Sequence, residues 1–331
     1  MPESKINTKE IKKIILLRND KIGDMIICSN VFRELKKALP KAEITVVASN
    51  SNKPLIEKNK NIDKIITLNY PPKSLKNFLN YLKTSKQIKK EKFDLGIDLR
   101  GSFINVFLLF YLGNVKYKIG FYNRKLSKFF LHYAYKKDRK GMHSTVHRID
   151  LLNKALGLSS KNYWPEIATD PSDLDLYKQI AKKNKLKKYI VINPDASLEK
   201  KQWSLDKFDQ LIKHLKKSYP NYKILLAGSD DKKISYLVKK NPSCIPMINE
   251  NLRVLYLVLK NSSLVIAQDG GPMHLAWVSK ANLIALLSGY LGIEYTKPLG
   301  KNSTFLVSKK DSTDSISLSE LKNLVHKFLK K

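Results

Sequence analysis

A chain of 331 residues, 43% of them hydrophobic, is long enough for two ordinary domains with real cores. Its 62 Lys+Arg against 29 Asp+Glu leave a net charge of +33, which points to polyanionic company or, more plainly, to a lysine-rich composition. The two cysteines, Cys28 and Cys244, make neither a disulfide framework nor a zinc pattern, the amino terminus has no secretory h-region, and the longest apolar stretch, 103–112, is about half a transmembrane span.

Short β-rich runs alternate with helical patterns along the chain. "KIILL" (13–17) reads as a buried strand, and Ile27, Val31, Phe32, Leu35 and Leu39 recur at helical spacing until Pro40. "EITVVAS" (43–49), "KIITL" (64–68), a helix near 75–90 and "FDLGIDL" (93–99) continue the series. The 103–112 run reads as a helix packed on the sheet, "YKIGFY" (117–122) as a strand, and Val146–Leu156 as a helix ending at Gly157. A stretch rich in Ser, Pro and Asp (159–175) then interrupts the pattern as a linker.

Alternation restarts with "YIVINP" (189–194), a helix at 204–217, "KILLAG" (223–228) and a helix near 231–240. The apolar run 252–260, "SLVIAQD" (263–269), a helix from Pro272, "LIALLSG" (283–289) and a last helix at 318–329 complete it. Strands alternating with helices predict an α/β protein: two doubly wound, Rossmann-like domains with parallel sheets, facing one another across a cleft.

Ligands of such sheets sit at the carboxyl ends of strands, where helix amino termini suit phosphate. Three strand exits stand out. In "RNDKIGDMI" (18–26), Asp24 stands where a helix begins, so it reads either as a plain N-cap or as a carboxylate able to take a proton from a substrate hydroxyl. In "NPDASLEKKQWSLDKF" (193–208), Ser197 could donate to a phosphate and Lys200 or Lys201 could neutralise it, while Trp203 reads as packing and Ser204 as the next cap. In "QDGGPMHLAW" (268–277), Gly270 and Gly271 allow close backbone approach and Pro272 suits the first helical turn, which together suggest a pyrophosphate cradle. Asp269 then organises the loop or meets another part of the ligand, and His274 is either a phosphate donor or a structural residue. The stretch is neither a P-loop nor a GxGxxG fingerprint.

"RNDKIGD", "NPDAS…KQW" and "DGGPMHLAW", supported by "FDLGIDLRGS", "KIGFY" and "LLAGSDD", resemble in order the ADP-heptose:lipopolysaccharide heptosyltransferases, glycosyltransferase family 9. The resemblance implies a GT-B fold with an acceptor domain over 1–165, a linker at 166–175 and a nucleotide-sugar domain over 176–331, the last helix packing on either one. It implies inverting, metal-independent transfer of heptose from ADP-heptose to Kdo-lipid A or a heptosylated core, with no cofactor, on the cytoplasmic face of the inner membrane. Asp24 matches the family's catalytic base. Ser197, Lys201 (rather than Lys200), Asp269, Gly270, Gly271 and His274 match its donor site, and Arg18 and Arg148 are assigned to the acceptor. Gly270 replaces the usual threonine, Asn30 a common proline, and Ser144 the histidine four residues before Arg148.

Ten Lys+Arg and one acid, Asp138, fall between 116 and 148, interleaved with Phe and Tyr, so this segment is a candidate for docking on an anionic membrane surface or, failing that, a solvated face. The charge also suits a nucleic-acid-binding protein, but no recognised nucleic-acid motif is present, and that partner is not expected. A family member using another nucleotide sugar or core acceptor remains the nearer alternative.

Overall fold

The computed structural model describes residues 6–123, 125–136, 141–196, 198–289, 293–309 and 312–330. The chain divides into two compact units, Met1–Ala168 and Thr169–Lys331.

In the first unit, β1 (Lys13–Arg18), β2 (Glu43–Ala48), β3 (Lys64–Thr67), β4 (Leu95–Asp98), β5 (Tyr117–Tyr122) and β6 (Tyr133–Lys136) form one parallel sheet in the order 3-2-1-4-5-6. β1 is buried from Ile14 onwards because helices cover both faces, which is why it reads as an unbroken apolar run. Around the sheet stand α1 (Ile22–Cys28), α2 (Asn30–Ala38), α3 (Leu75–Glu91), α4 (Phe103–Asn105), α5 (Lys125–Lys128) and α6 (Ser144–Leu156). α4 starts where Ser102 caps the Asn105 amide and continues as a π-helical run over Val106–Tyr111 that packs along α3. α6 stops at Gly157, whose φ of 67° is the left-handed conformation that glycine takes without strain.

In the second unit, α7 (Pro171–Lys183) precedes β7 (Tyr189–Asn193), α8 (Leu205–Ser218), β8 (Lys223–Gly228), α9 (Asp231–Lys240), β9 (Ile245–Ile248), α10 (Leu252–Lys260), β10 (Leu264–Gln268), α11 (Gly271–Val278), β11 (Leu283–Leu287), α12 (Ile293–Thr296), β12 (Ser303–Val307) and α13 (Leu318–Leu329). Its sheet runs β12-β11-β10-β7-β8-β9, again parallel. Renumbered from β7, that is the same order as in the first unit. Each sheet therefore reverses direction between its first and fourth strands, the point at which open α/β sheets take ligands.

Part of the Ser/Pro/Asp-rich stretch is helical, since Asp170 and Asp173 form a reciprocal capping box with Pro171 in the first turn of α7. The run 252–260 is a helix capped by Asn251. α13 packs on its own unit, with Leu321 and Val325 in the core around Trp203, Phe208 and Leu211.

Candidate active site

β1 ends in Arg18, which is 1% exposed. Its guanidinium addresses three partners: Nη1 donates to the Leu99 carbonyl at 2.7 Å, Nε lies 3.1 Å from Asp20, and Nη2 pairs with Asp24. Burial opposes its charge, but the carboxylates of Asp20 and Asp24 outweigh burial and push its pKa above the usual arginine range. Asp24 is not the N-cap of α1. Lys21 holds that position, and Asp24 is the third residue of the helix, its carboxylate drawn to Arg18 and still partly open to solvent.

β4, the neighbour of β1 across the switch point, supplies the opposite wall. The Asp98 carboxylate accepts the amides of Arg100, Gly101 and Ser102 at 2.8–3.0 Å and so shapes the turn into α4. Burial pushes the Asp98 carboxyl up to about 6, against the pull of those N–H groups and of Arg18. Gly101 has φ +82°, a conformation that side chains resist. Arg100 pairs with Asp20 and lies 4.0 Å over the Tyr70 ring. Arg18, Asp20, Asp24, Tyr70 and Arg100 line a cavity of about 440 Å³, whose remaining wall includes Phe103, Ile104 and Ser127. Asp20, Tyr70 and Arg100 were not singled out from the sequence. The strand-exit rule that selected Asp24 after β1, applied equally to β4, would have selected Arg100.

Arg148 is also 1% exposed but lies behind α1. Its Nε donates to the Cys28 sulfur at 2.9 Å and its Nη1 to the Ser144 carbonyl at 2.6 Å, while Cys28 in turn donates to the Asp24 carbonyl. Asn30 begins α2 and donates to the Tyr163 carbonyl.

In the second unit the exits of β7 and β10 meet. Lys201 is 8% exposed and its ammonium lies 2.5 Å from the Asp269 carboxylate, whereas Lys200 beside it is exposed. The two are held in place by Trp203, fully buried, whose amide donates to the Gln268 side chain and whose indole donates to the Ile316 carbonyl at 3.1 Å. Gln268 also donates to the Pro194 carbonyl, joining the two loops. Ser204 stands at the cap of α8 without a side-chain capping bond; its amide donates to Asp314. Asp195 accepts from the backbone and hydroxyl of Ser229.

Gly270 is the N-cap of α11 with φ −171°, an extended conformation open to any residue, and beyond its chain neighbours the nearest atoms to where its Cβ would stand are the Gln268 carbonyl oxygen at 3.8 Å and Pro272 Cδ at 3.9 Å. The glycine pair is therefore not required by backbone conformation here. Gly271 and Pro272 open α11, and His274, buried in its first turn, sits 6.4 Å from the Trp277 ring. Lys201, Asp269, Gly270, Gly271 and His274 are thus gathered on one pair of strand exits, with α11 presenting its amino terminus there. Ser197 lies outside the described residues.

Residues 81–324 match the model of glycosyltransferase family 9 (heptosyltransferase), a span that leaves out β1 and Asp24. Lipopolysaccharide heptosyltransferase 1 of Campylobacter coli is 24% identical over 288 residues, covering 80% of each chain. Among solved structures, a family 9 glycosyl transferase from Veillonella parvula superposes with a TM-score of 0.82 at 19% identity, covering 96% of this chain and 97% of that one. E. coli heptosyltransferase WaaC with ADP gives 0.76 at 14% identity, covering 96% and 99%. The fold of these structures is the GT-B arrangement of two Rossmann-like halves expected from the alternation of elements, and the chain belongs to glycosyltransferase family 9, the heptosyltransferases.

Proposed function

We propose that the chain transfers heptose from ADP-heptose to the inner core of lipopolysaccharide, on Kdo-lipid A or an already heptosylated core, by a single inverting displacement. The observation that carries this reading is the Asp24 carboxylate, partly open in a cavity at the switch point of the first sheet and aimed by a buried arginine. Asp24 removes the proton of an acceptor hydroxyl, the oxygen attacks the anomeric carbon, and the bond to the diphosphate breaks with its electron pair leaving on ADP. One displacement inverts that carbon.

Lys201, the amides at the start of α11 and Ser197 stabilise the departing diphosphate, the lysine ammonium and the helix terminus supplying the positive charge in place of a metal ion. Asp269 holds Lys201 in position, and His274 supports the turn. Arg18 and Arg148 act on the acceptor side through Asp24: one aims the carboxylate, and the other fixes α1 from behind. Arg100, stacked on Tyr70, is the guanidinium best placed to meet an anionic acceptor group. The family and the ADP bound in E. coli WaaC support the donor class, and a lipid-linked acceptor places the reaction on the cytoplasmic face of the inner membrane.

The test is a donor screen. Purified protein is given ADP-heptose or other nucleotide sugars with soluble, deacylated Kdo-lipid A, and ADP release is followed together with the anomeric configuration of the product by NMR. Transfer from ADP-heptose with inversion is expected. Transfer from a different nucleotide sugar, or a product retaining the donor's configuration, would overturn the respective half of the proposal.

A further inference from the structure

Apart from Tyr111 and Leu112, the exposed large hydrophobic side chains of the first unit fall in three segments that border the lining of the cavity in sequence or in space. Leu75 (75% exposed), Phe78 and Leu79 open α3; Ile104 is in α4; Leu126 and Phe129 (83% exposed) lie in and just after α5. Ile104 lines the cavity, Leu126 and Phe129 flank its lining residue Ser127, and α3 begins five residues after Tyr70, which lines it too.

Packing ties these segments together. Tyr81 of α3 donates to Asn105, and Ile88 sits against Gly113, so α3 runs alongside 105–113 with its first turn at the cavity end. Phe130 places its ring 5.2–5.6 Å from those of Phe103, Phe107 and Tyr111, tying the α5 segment to the same helix. By contrast, Phe121 is buried against Tyr135 and His147, whereas Tyr117, Tyr122, Tyr133 and Tyr135 of β5 and β6 are half-buried; of the segment 116–148 expected to dock on a membrane, residues 124 and 137–140 lie outside the described residues.

The segments that carry these side chains are charged with one sign only. Residues 69–90 and 99–136 contain no Asp or Glu, and Lys73, Lys76, Lys83, Lys125 and Lys128 are exposed. An apolar rim set among lysines complements anionic lipid, with hydrophobic side chains entering the acyl boundary and ammonium groups meeting headgroups. It repels a second copy of a chain carrying +33. No helix among the described residues is long and apolar enough to cross a membrane.

We propose that Leu75, Phe78, Leu79, Leu126 and Phe129 form a collar that beds into an anionic bilayer, so that a lipid-anchored acceptor enters the cavity without leaving the membrane. The purpose of the collar rests on the lipid-acceptor reading above; its binding to bilayers does not.

The experiment uses the full chain, vesicles of phosphatidylglycerol with phosphatidylcholine or of phosphatidylcholine alone, and three variants: Phe129→Trp, Leu126→Ser/Phe129→Ser and Leu75→Ser/Leu79→Ser. All five positions are solvent-exposed and none lines the cavity, so folding should be retained, with circular dichroism as the check. Expected results are a blue shift of the Phe129→Trp variant's emission on anionic vesicles, quenched by brominated acyl chains, and roughly tenfold or greater loss of anionic-vesicle binding in each serine variant. Transfer to a soluble, deacylated acceptor should be unchanged in the serine variants, while transfer to vesicle-embedded acceptor falls.

Serine variants that bind vesicles like the wild type, or a tryptophan that brominated lipid leaves unquenched, would overturn the collar, as would a wild-type dimer that the serine variants convert to monomer without loss of vesicle binding. Collar-dependent vesicle binding with no heptosyl transfer to any acceptor would leave the collar standing and remove the proposed reaction instead.

Discussion

Asp24→Asn separates the proposed base from its surroundings. Asparagine keeps the size of the side chain and can still accept from Arg18, but it cannot take a proton. Loss of a positioned base lowers turnover by about 10²–10⁴-fold. The structural penalty is much smaller. The Asp24–Arg18 pair is partly open on the Asp24 side, and Arg18 keeps Asp20 and the Leu99 carbonyl, so weakening the pair costs about 1 kcal/mol or less. In a unit of this size that lowers Tm by about 2–4 °C, too little to unfold the protein at 25 °C. ADP release in the presence of donor and soluble acceptor gives turnover, and calorimetric titration with ADP should remain within about twofold of wild type because the proton comes from the acceptor. Turnover within about threefold of wild type, or a parallel collapse of ADP binding, would refute the assignment.

Lys201→Ala should weaken ADP binding by roughly 10- to 150-fold in the same titration, the range for a charge-assisted hydrogen bond, while exposed Lys200→Ala stays within about twofold; equal losses would show that only local charge matters. Gly270→Thr should fold with an unchanged or slightly raised Tm in scanning calorimetry, since the backbone is extended and the Cβ position open; a drop of many degrees would mean that the loop adopts another conformation. The Asp98 carboxyl, raised to about 6, holds its proton more tightly folded than unfolded, so its contribution favours folding at low pH and is lost as pH rises through that value. Urea melts across this range should show a flatter stability–pH curve for Asp98→Asn than for wild type, whatever its overall loss of stability; parallel curves would reject the shift.

The central strands β1, β4, β7, β10 and β11 were legible because each is buried on both faces and therefore written as an apolar run. β6, β9 and β12 were not. All three are edge strands, partly exposed, and β9 carries Pro246, whose missing N–H an edge position tolerates. On the site, spacing alone left Lys200 and Lys201 equivalent and only the family resemblance selected Lys201; in the structure Lys201 is buried beside Asp269 and Lys200 is exposed. The sequence also left Asp24 open to a capping role that the structure excludes, because spacing does not show that the buried guanidinium of Arg18, six residues earlier, takes the carboxylate. The collar was invisible for a similar reason. Its members come from two segments far apart in sequence, and only tertiary packing decides which apolar residues of a helix remain in water.

The four charged groups in the first unit's cavity have a consequence for how charge is sensed there. Arg18 and Arg100 stand against Asp20 and Asp24, so their formal charges cancel even though the chain as a whole carries +33. A cluster without a net monopole projects a field that fades over a few ångströms, and mobile ions have little of it to screen. An approaching sugar therefore feels the lysine-rich exterior at long range and, inside, only whichever single guanidinium it touches. Discrimination between an anionic ligand of this cavity and its neutral counterpart would then be a matter of contact geometry, with ionic strength governing arrival at the surface.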